Sequence, residues 1–171
     1  MTIKYTLEDN FPGDYVAGAV NGTVASPGPG GLRKTVENDG TISVSSGVMN
    51  ISGQATIVYG DLGFYYSLPF GRTEDMTVEF RLRRTGNGVC AGIGLCNDIS
   101  LSLASRIHCF QINDSSVDLR TDPTAGGVAV FPNLTWADFK IVLHDVGCDY
   151  YYNDVLVDGN RDEVIVHGDL A

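Results

Sequence analysis

A chain of 171 residues, 43% hydrophobic and 19% charged, is long enough to bury one core and too apolar to stay disordered, so a single domain over residues 1–171 is expected. Its net charge of −10 repels nucleic-acid phosphates and anionic lipid, which sets nucleic acid aside as a partner. No apolar run approaches the roughly 18–20 residues that span a bilayer, so a soluble protein without membrane insertion is expected.

In chain order, Met1 to Asn10 lacks the basic stretch, apolar run and small-residue cleavage site of a signal peptide, and export by that route is not expected. Ser26-Pro27-Gly28-Pro29-Gly30-Gly31 cannot hold a regular element and predicts a surface loop. Strands are predicted at Ile42–Ser45, Val48–Ser52, Ala55–Val58 and Phe64–Leu68. The clearest alternation follows: Met76, Val78, Phe80 and Leu82 face one way, and Thr77, Glu79, Arg81 and Arg83 the other. Asn87-Gly88 then offers turn residues, and Val89 to Cys96 alternates again, which predicts a hairpin. Leu101 to Ala104 fits a short turn. Further strands read at Arg106–Asn113, Val117–Thr121, Val128–Phe131, Asp138–His144 and Cys148–Tyr152. So many short strands at even spacing, with no convincing helix, mean an all-β sandwich or barrel.

Four cysteines are present. Cys90 and Cys96 fall on one strand, about 20 Å apart at roughly 3.3 Å per residue, too far to bridge each other. Cys109 and Cys148 fall on separate strands where a bridge is geometrically allowed, but without an export signal buried, reduced thiols are expected.

From Trp136 onward the pattern becomes specific. Trp136 precedes the alternating Phe139, Ile141 and Leu143; the turn Asp145-Val146-Gly147 follows; the returning strand carries Tyr150 and Tyr152, then Asn153-Asp154, Val155 and Val157. This order resembles the laminin-G/concanavalin A-like domains, with Asp154 where their pattern has Gly. Leu7-Glu8-Asp9-Asn10-Phe11 is similar to the acidic-Phe opening of many such domains. The resemblance implies a two-sheet antiparallel jelly-roll sandwich, a scaffold shared by lectins, adhesion modules, glycan hydrolases and virion surface proteins. On the same pattern Trp136 is a core or rim anchor rather than a sugar platform.

Catalysis is not expected. Hydrolases on this scaffold need paired carboxylates, as in Glu-x-Asp-x-x-Glu, and the nearest run, Glu74 to Glu79, has another spacing with Glu79 on the polar face. His108, His144 and His167 are scattered, no nucleophile elbow occurs, and no zinc spacing appears. No cofactor is required. Calcium is the ion for which ligands can be named: Asp158, Asn160 and Asp162 alternate and Asp169 falls twelfth, as in an EF-hand loop, although Glu163 holds the sixth position and Val164-Ile165-Val166 reads as strand. A solvated turn followed by a strand explains the same residues. Asp9, Asn10 and Asp14 form a second set of oxygen ligands, equally well read as turn residues.

For sugar contact an aromatic platform beside polar groups is needed. Tyr65 and Tyr151 point opposite to their flanking aromatics, and Arg81 and Arg83 share an outer face. These four are the candidate ligand-binding residues, and ordinary cross-strand packing explains the same positions. The Asn-x-Ser/Thr triplets at Asn21, Asn50, Asn113 and Asn133 are read as chance.

An adhesive-type sandwich without an export signal fits a bacteriophage virion, whose proteins are made in the host cytoplasm and released by lysis. The expected function is thus a non-enzymatic virion surface protein, a capsid decoration or tail-fibre module. Its partners would be virion proteins or copies of itself, together with a cell-surface glycan. The alternatives are an extracellular carbohydrate-binding module of a larger secreted protein and a glycan hydrolase on the same scaffold.

Overall fold

The structure is a computed structural model that describes residues 9–23, 33–37, 40–53, 62–66, 76–85, 90–96, 106–113, 116–119, 125–144 and 147–161. Within these, every regular element is a strand and all pairing is antiparallel. The strands are β1 (Lys34–Glu37), β2 (Gly40–Ser45), β3 (Val48–Gly53), β4 (Leu62–Tyr65), β5 (Thr77–Arg83), β6 (Cys90–Cys96), β7 (Arg106–Asn113), β8 (Ser116–Leu119), β9 (Ala125–Val130), β10 (Trp136–His144), β11 (Gly147–Tyr152) and β12 (Val155–Arg161). Described residues 9–66 belong to one compact unit and 76–161 to another.

In the first unit β2 and β3 form a hairpin, β1 pairs with β4, and Tyr15 bridges to Val44 through reciprocal backbone hydrogen bonds of 2.8 and 2.9 Å. Val20, Ile42 and Val44 are buried, with Phe11, Tyr15 and Met49 packed against them. Among these apolar groups lies Arg33, fully buried. A buried guanidinium is tolerable only when paired and hydrogen-bonded. Asp9 supplies both: Arg33 donates from Nε to Oδ2 and from Nη2 to Oδ1, each at 2.5 Å, and from Nη1 to Thr23 Oγ1 at 2.9 Å. Tyr66 donates its hydroxyl to Asp9 Oδ2, and the rings of Phe11 and Tyr15 lie 5.4 and 5.6 Å from the guanidinium.

The second unit contains two four-stranded sheets, ordered β12-β11-β10-β5 and β6-β7-β8-β9. Alternation in β10 buries Ala137, Phe139, Ile141 and Leu143. Their aromatic neighbours join the sheets face to face, since Phe110 of β7 meets Phe80, Phe139 and Tyr150 edge-on at 6.1, 5.1 and 5.1 Å between ring centres. Each such ring contributes about 1.5–3 kcal/mol on burial, so this aromatic layer is a main support of the β-sandwich-like unit. Cys109 and Cys148 are buried thiols, not bridged to each other. Cys148 Sγ lies 3.2 Å from His108 Nδ1, and the Tyr150 hydroxyl lies 3.5 Å from the same nitrogen.

Two expectations are corrected. The strands at 76–83 and 89–96 are not hairpin partners: β5 pairs with β10 and β6 with β7, in different sheets. A turn dipeptide limits only the local chain direction, whereas the partner is chosen by the faces to be buried. Asp158 to Arg161, read as a turn, belongs to β12, where backbone pairing with β11 overrides a turn-like composition. The predicted loop at Ser26–Gly31, strand at Ala55–Val58, and turns at Asn87-Gly88 and Leu101–Ala104 lie outside the described residues.

Candidate functional site

The outward face of β5, β10 and β11 carries the chemistry. Period-two alternation sends Phe80, Phe139 and Tyr150 inward, so residues between them must face outward. Antiparallel register then sets these outward residues in rows: Arg83 opposite Trp136, Arg81 opposite Asp138, and Glu79 opposite Lys140 opposite Tyr151. Cross-strand partners on one face stand about 4.5–5.5 Å apart at Cβ, which is why each row is a contact.

Trp136 is 37% exposed, with the guanidinium groups of Arg83 and Arg81 at 5.0 and 5.8 Å from its ring centre. Arg81 Nε lies 3.4 Å from Asp138 Oδ1, with side chains 65% and 59% exposed. Lys140 Nζ lies 3.3 Å from Glu79 Oε1 and 5.4 Å from the centre of the Tyr151 ring. Below that row His144 Nε2 meets Asp149 Oδ2 at 3.0 Å, and Tyr151 donates to the same oxygen at 3.5 Å. Exposed ion pairs of this kind are worth about 0–1 kcal/mol. Their groups can therefore be re-paired with a ligand at little cost to the fold. Between the rows lies a shallow open depression of about 330 Å³ lined by Glu79, Arg81, Asp138, Lys140, Tyr151 and Asp154.

Of the sequence-predicted ligand residues, Arg81, Arg83 and Tyr151 share this face. Tyr65 does not; it ends β4, in a separate sheet opposite Lys34. Of the core and rim positions expected for Trp136, its parity with Asp138 and Lys140 rather than with Ala137 and Phe139 leaves the rim, at the start of β10. Of the calcium set, Asp158 is half-buried on β12 opposite Tyr150, Asn160 is two residues on along the same strand, and Asp162 and Asp169 lie outside the described residues. Among the described residues no group of three His, Cys, Asp or Glu side chains is placed to hold a metal.

The second oxygen set separates. Asp9 is committed to Arg33 and Tyr66 and accepts the Phe11 N–H at 2.9 Å, while Asp14 accepts the Ser46 N–H at 2.9 Å. Burial opposes ionisation of Asp9, but the hydrogen bonds from Arg33, Tyr66 and Phe11 outweigh it and hold the carboxyl below the usual range. Sequence reasoning missed Arg33, because an arginine in a Gly-rich stretch signals surface, and missed the meeting of His108 with Cys148, which lies forty positions away.

No family model, curated protein or solved structure matches the chain. The face itself sets the Trp136 and half-buried Tyr151 rings beside the charged groups of Arg81, Arg83, Asp138, Lys140 and Glu79.

Proposed function

We propose that the chain is a non-enzymatic, concanavalin A-like jelly-roll module that binds glycans through the outward face of β5, β10 and β11. On this reading it serves as a virion surface component, a capsid decoration or tail-fibre module. The observation that carries the proposal is the gathering of Trp136, Arg81, Arg83, Lys140 and Tyr151 on one sheet face, where Arg81, Lys140 and Tyr151 line a shallow depression. Sugar recognition calls for this combination: an aromatic ring for the apolar face of the pyranose, and several donors and acceptors that exchange weak internal pairs for hydroxyls.

The buried thiols of Cys109 and Cys148 support folding in a reducing compartment, which suits a protein assembled inside a host cell better than one matured by secretion. A glycan array tests the binding reading. Saturable binding by the full chain, weakened at least about tenfold by Tyr151→Ala with an unchanged melting temperature, is the expected result. Binding that survives both Tyr151→Ala and Arg81→Ala would move the site off this face.

A further inference from the structure

We infer that the Trp136 end of this face is an anion-binding subsite that selects saccharides bearing carboxylate groups. The inference rests on the glycan-binding reading and names its ligand class. Three of the chain's 11 basic residues, Arg81, Arg83 and Arg84, stand within four positions, in a protein whose net charge is −10. Arg84 is buried and donates from Nε to the Phe131 carbonyl at 2.8 Å, so its charge is fixed beneath this end of the sheet. Arg81 shares an exposed, weak pair with Asp138.

Arg83 differs from both. Its side chain is exposed, and among the described residues it makes no ion pair; its contact is the Trp136 ring at 5.0 Å. A guanidinium held against an indole keeps a planar N–H edge directed at solvent, and less rotamer freedom remains to be lost when a ligand arrives. That edge matches a carboxylate, which takes two parallel hydrogen bonds. The charge complementarity also bounds the ligand. A guanidinium with no ion pair among the described residues and a weakly paired one suit a carboxylate on a sugar ring, whereas a densely charged nucleic acid would be repelled by the acidic remainder of the protein. The exposed part of the indole gives the same sugar an apolar contact.

Trp136 is the chain's single tryptophan, so its fluorescence reports on this end of the face alone. The full chain is titrated with oligogalacturonate, oligoalginate and hyaluronan oligosaccharides, each beside its carboxyl-reduced counterpart, with calorimetry in parallel. At least one acidic oligosaccharide is expected to perturb Trp136 emission and to bind about tenfold more tightly than its reduced form, the size of one charge-assisted contact. Added salt should shrink that preference. Arg83→Ala should abolish it without lowering the melting temperature, and Arg83→Lys should restore part of it. Equal affinity for acidic and reduced forms would overturn the anion-binding subsite while leaving the glycan-binding face intact. A preference that persists in Arg83→Ala would also overturn it. No binding of any member of the panel, acidic or reduced, would overturn both.

Discussion

The Asp9 carboxylate and the Arg33 guanidinium, far apart in sequence, meet through two hydrogen bonds of 2.5 Å with Arg33 fully buried. Removing one member of such a pair strands the other charge in a low-dielectric site. Asp9→Asn should therefore destabilise its unit by about 3–5 kcal/mol, measured by denaturant unfolding at neutral pH. The pH dependence follows from the lowered Asp9 pKa. A carboxylate that is more acidic folded than unfolded contributes stability above its unfolded value near 4, and loses it as pH falls through the folded value. The melting temperature should drop on acidification below about pH 4, and the gap between the native chain and Asp9→Asn should close there.

The β11–β12 turn offers the opposite change. Asn153 and Asp154 both have positive φ, +48° and +62°, the geometry of a tight primed hairpin turn. Asn153 is pinned: its N–H donates to the Asp138 carbonyl at 2.8 Å and its Oδ1 accepts the Asp138 N–H at 2.9 Å. Asp154 only bears the left-handed strain that glycine escapes. Asp154→Gly should stabilise the protein by about 0.5–1 kcal/mol, visible as a melting temperature raised by a few degrees.

Gly94 leaves no such room. A Cβ there would sit 2.1 Å from the His108 carbonyl oxygen and 2.7 Å from Cys109 Cα, both backbone atoms of the partner strand, at a φ of +151°. Gly94→Ala forces β6 away from β7 and should cost at least about 3 kcal/mol, or leave the chain insoluble on expression. A variant as stable as the native chain would show that the two strands do not approach this closely.

Cys109 and Cys148 are 1% and 0% exposed. A reagent cannot reach a thiol closed off from solvent, even one beside an imidazole as Cys148 is beside His108, so alkylation mapped by mass spectrometry should label these two cysteines only after denaturation. Labelling at native rates comparable to those of a small thiol would place them at the surface.

Much of the second unit was legible in the sequence. The predicted strand Arg106–Asn113 coincides with β7, and the alternation around Phe80 and Phe139 assigned the inward faces correctly, because period two is a local property that burial on one side imprints directly. The same alternation placed Arg81 and Arg83 on an outer face and set Tyr151 opposite to Tyr150 and Tyr152. What stayed hidden was non-local. The Asn87-Gly88 signal could not reveal that β5 prefers β10, and Asp158-Gly159-Asn160 looked like a turn because composition carries no record of Tyr150 pairing across from it. Arg33 gave no cue to burial, since only the fold brings Asp9 and Tyr66 to it. Trp136 was legible after all: its parity with Asp138 and Lys140 already puts it on the polar side.

The most direct test of the central claim is a map of amide chemical-shift changes in the isotope-labelled full chain as a binding saccharide from the array is added. A glycan site on β5, β10 and β11 puts the largest changes in residues 79–83, 136–140 and 149–154, with Trp136 and Arg83 among them. Shifts concentrated instead on β2 and β3, or on β8 and β9, with these three segments unmoved, would contradict it.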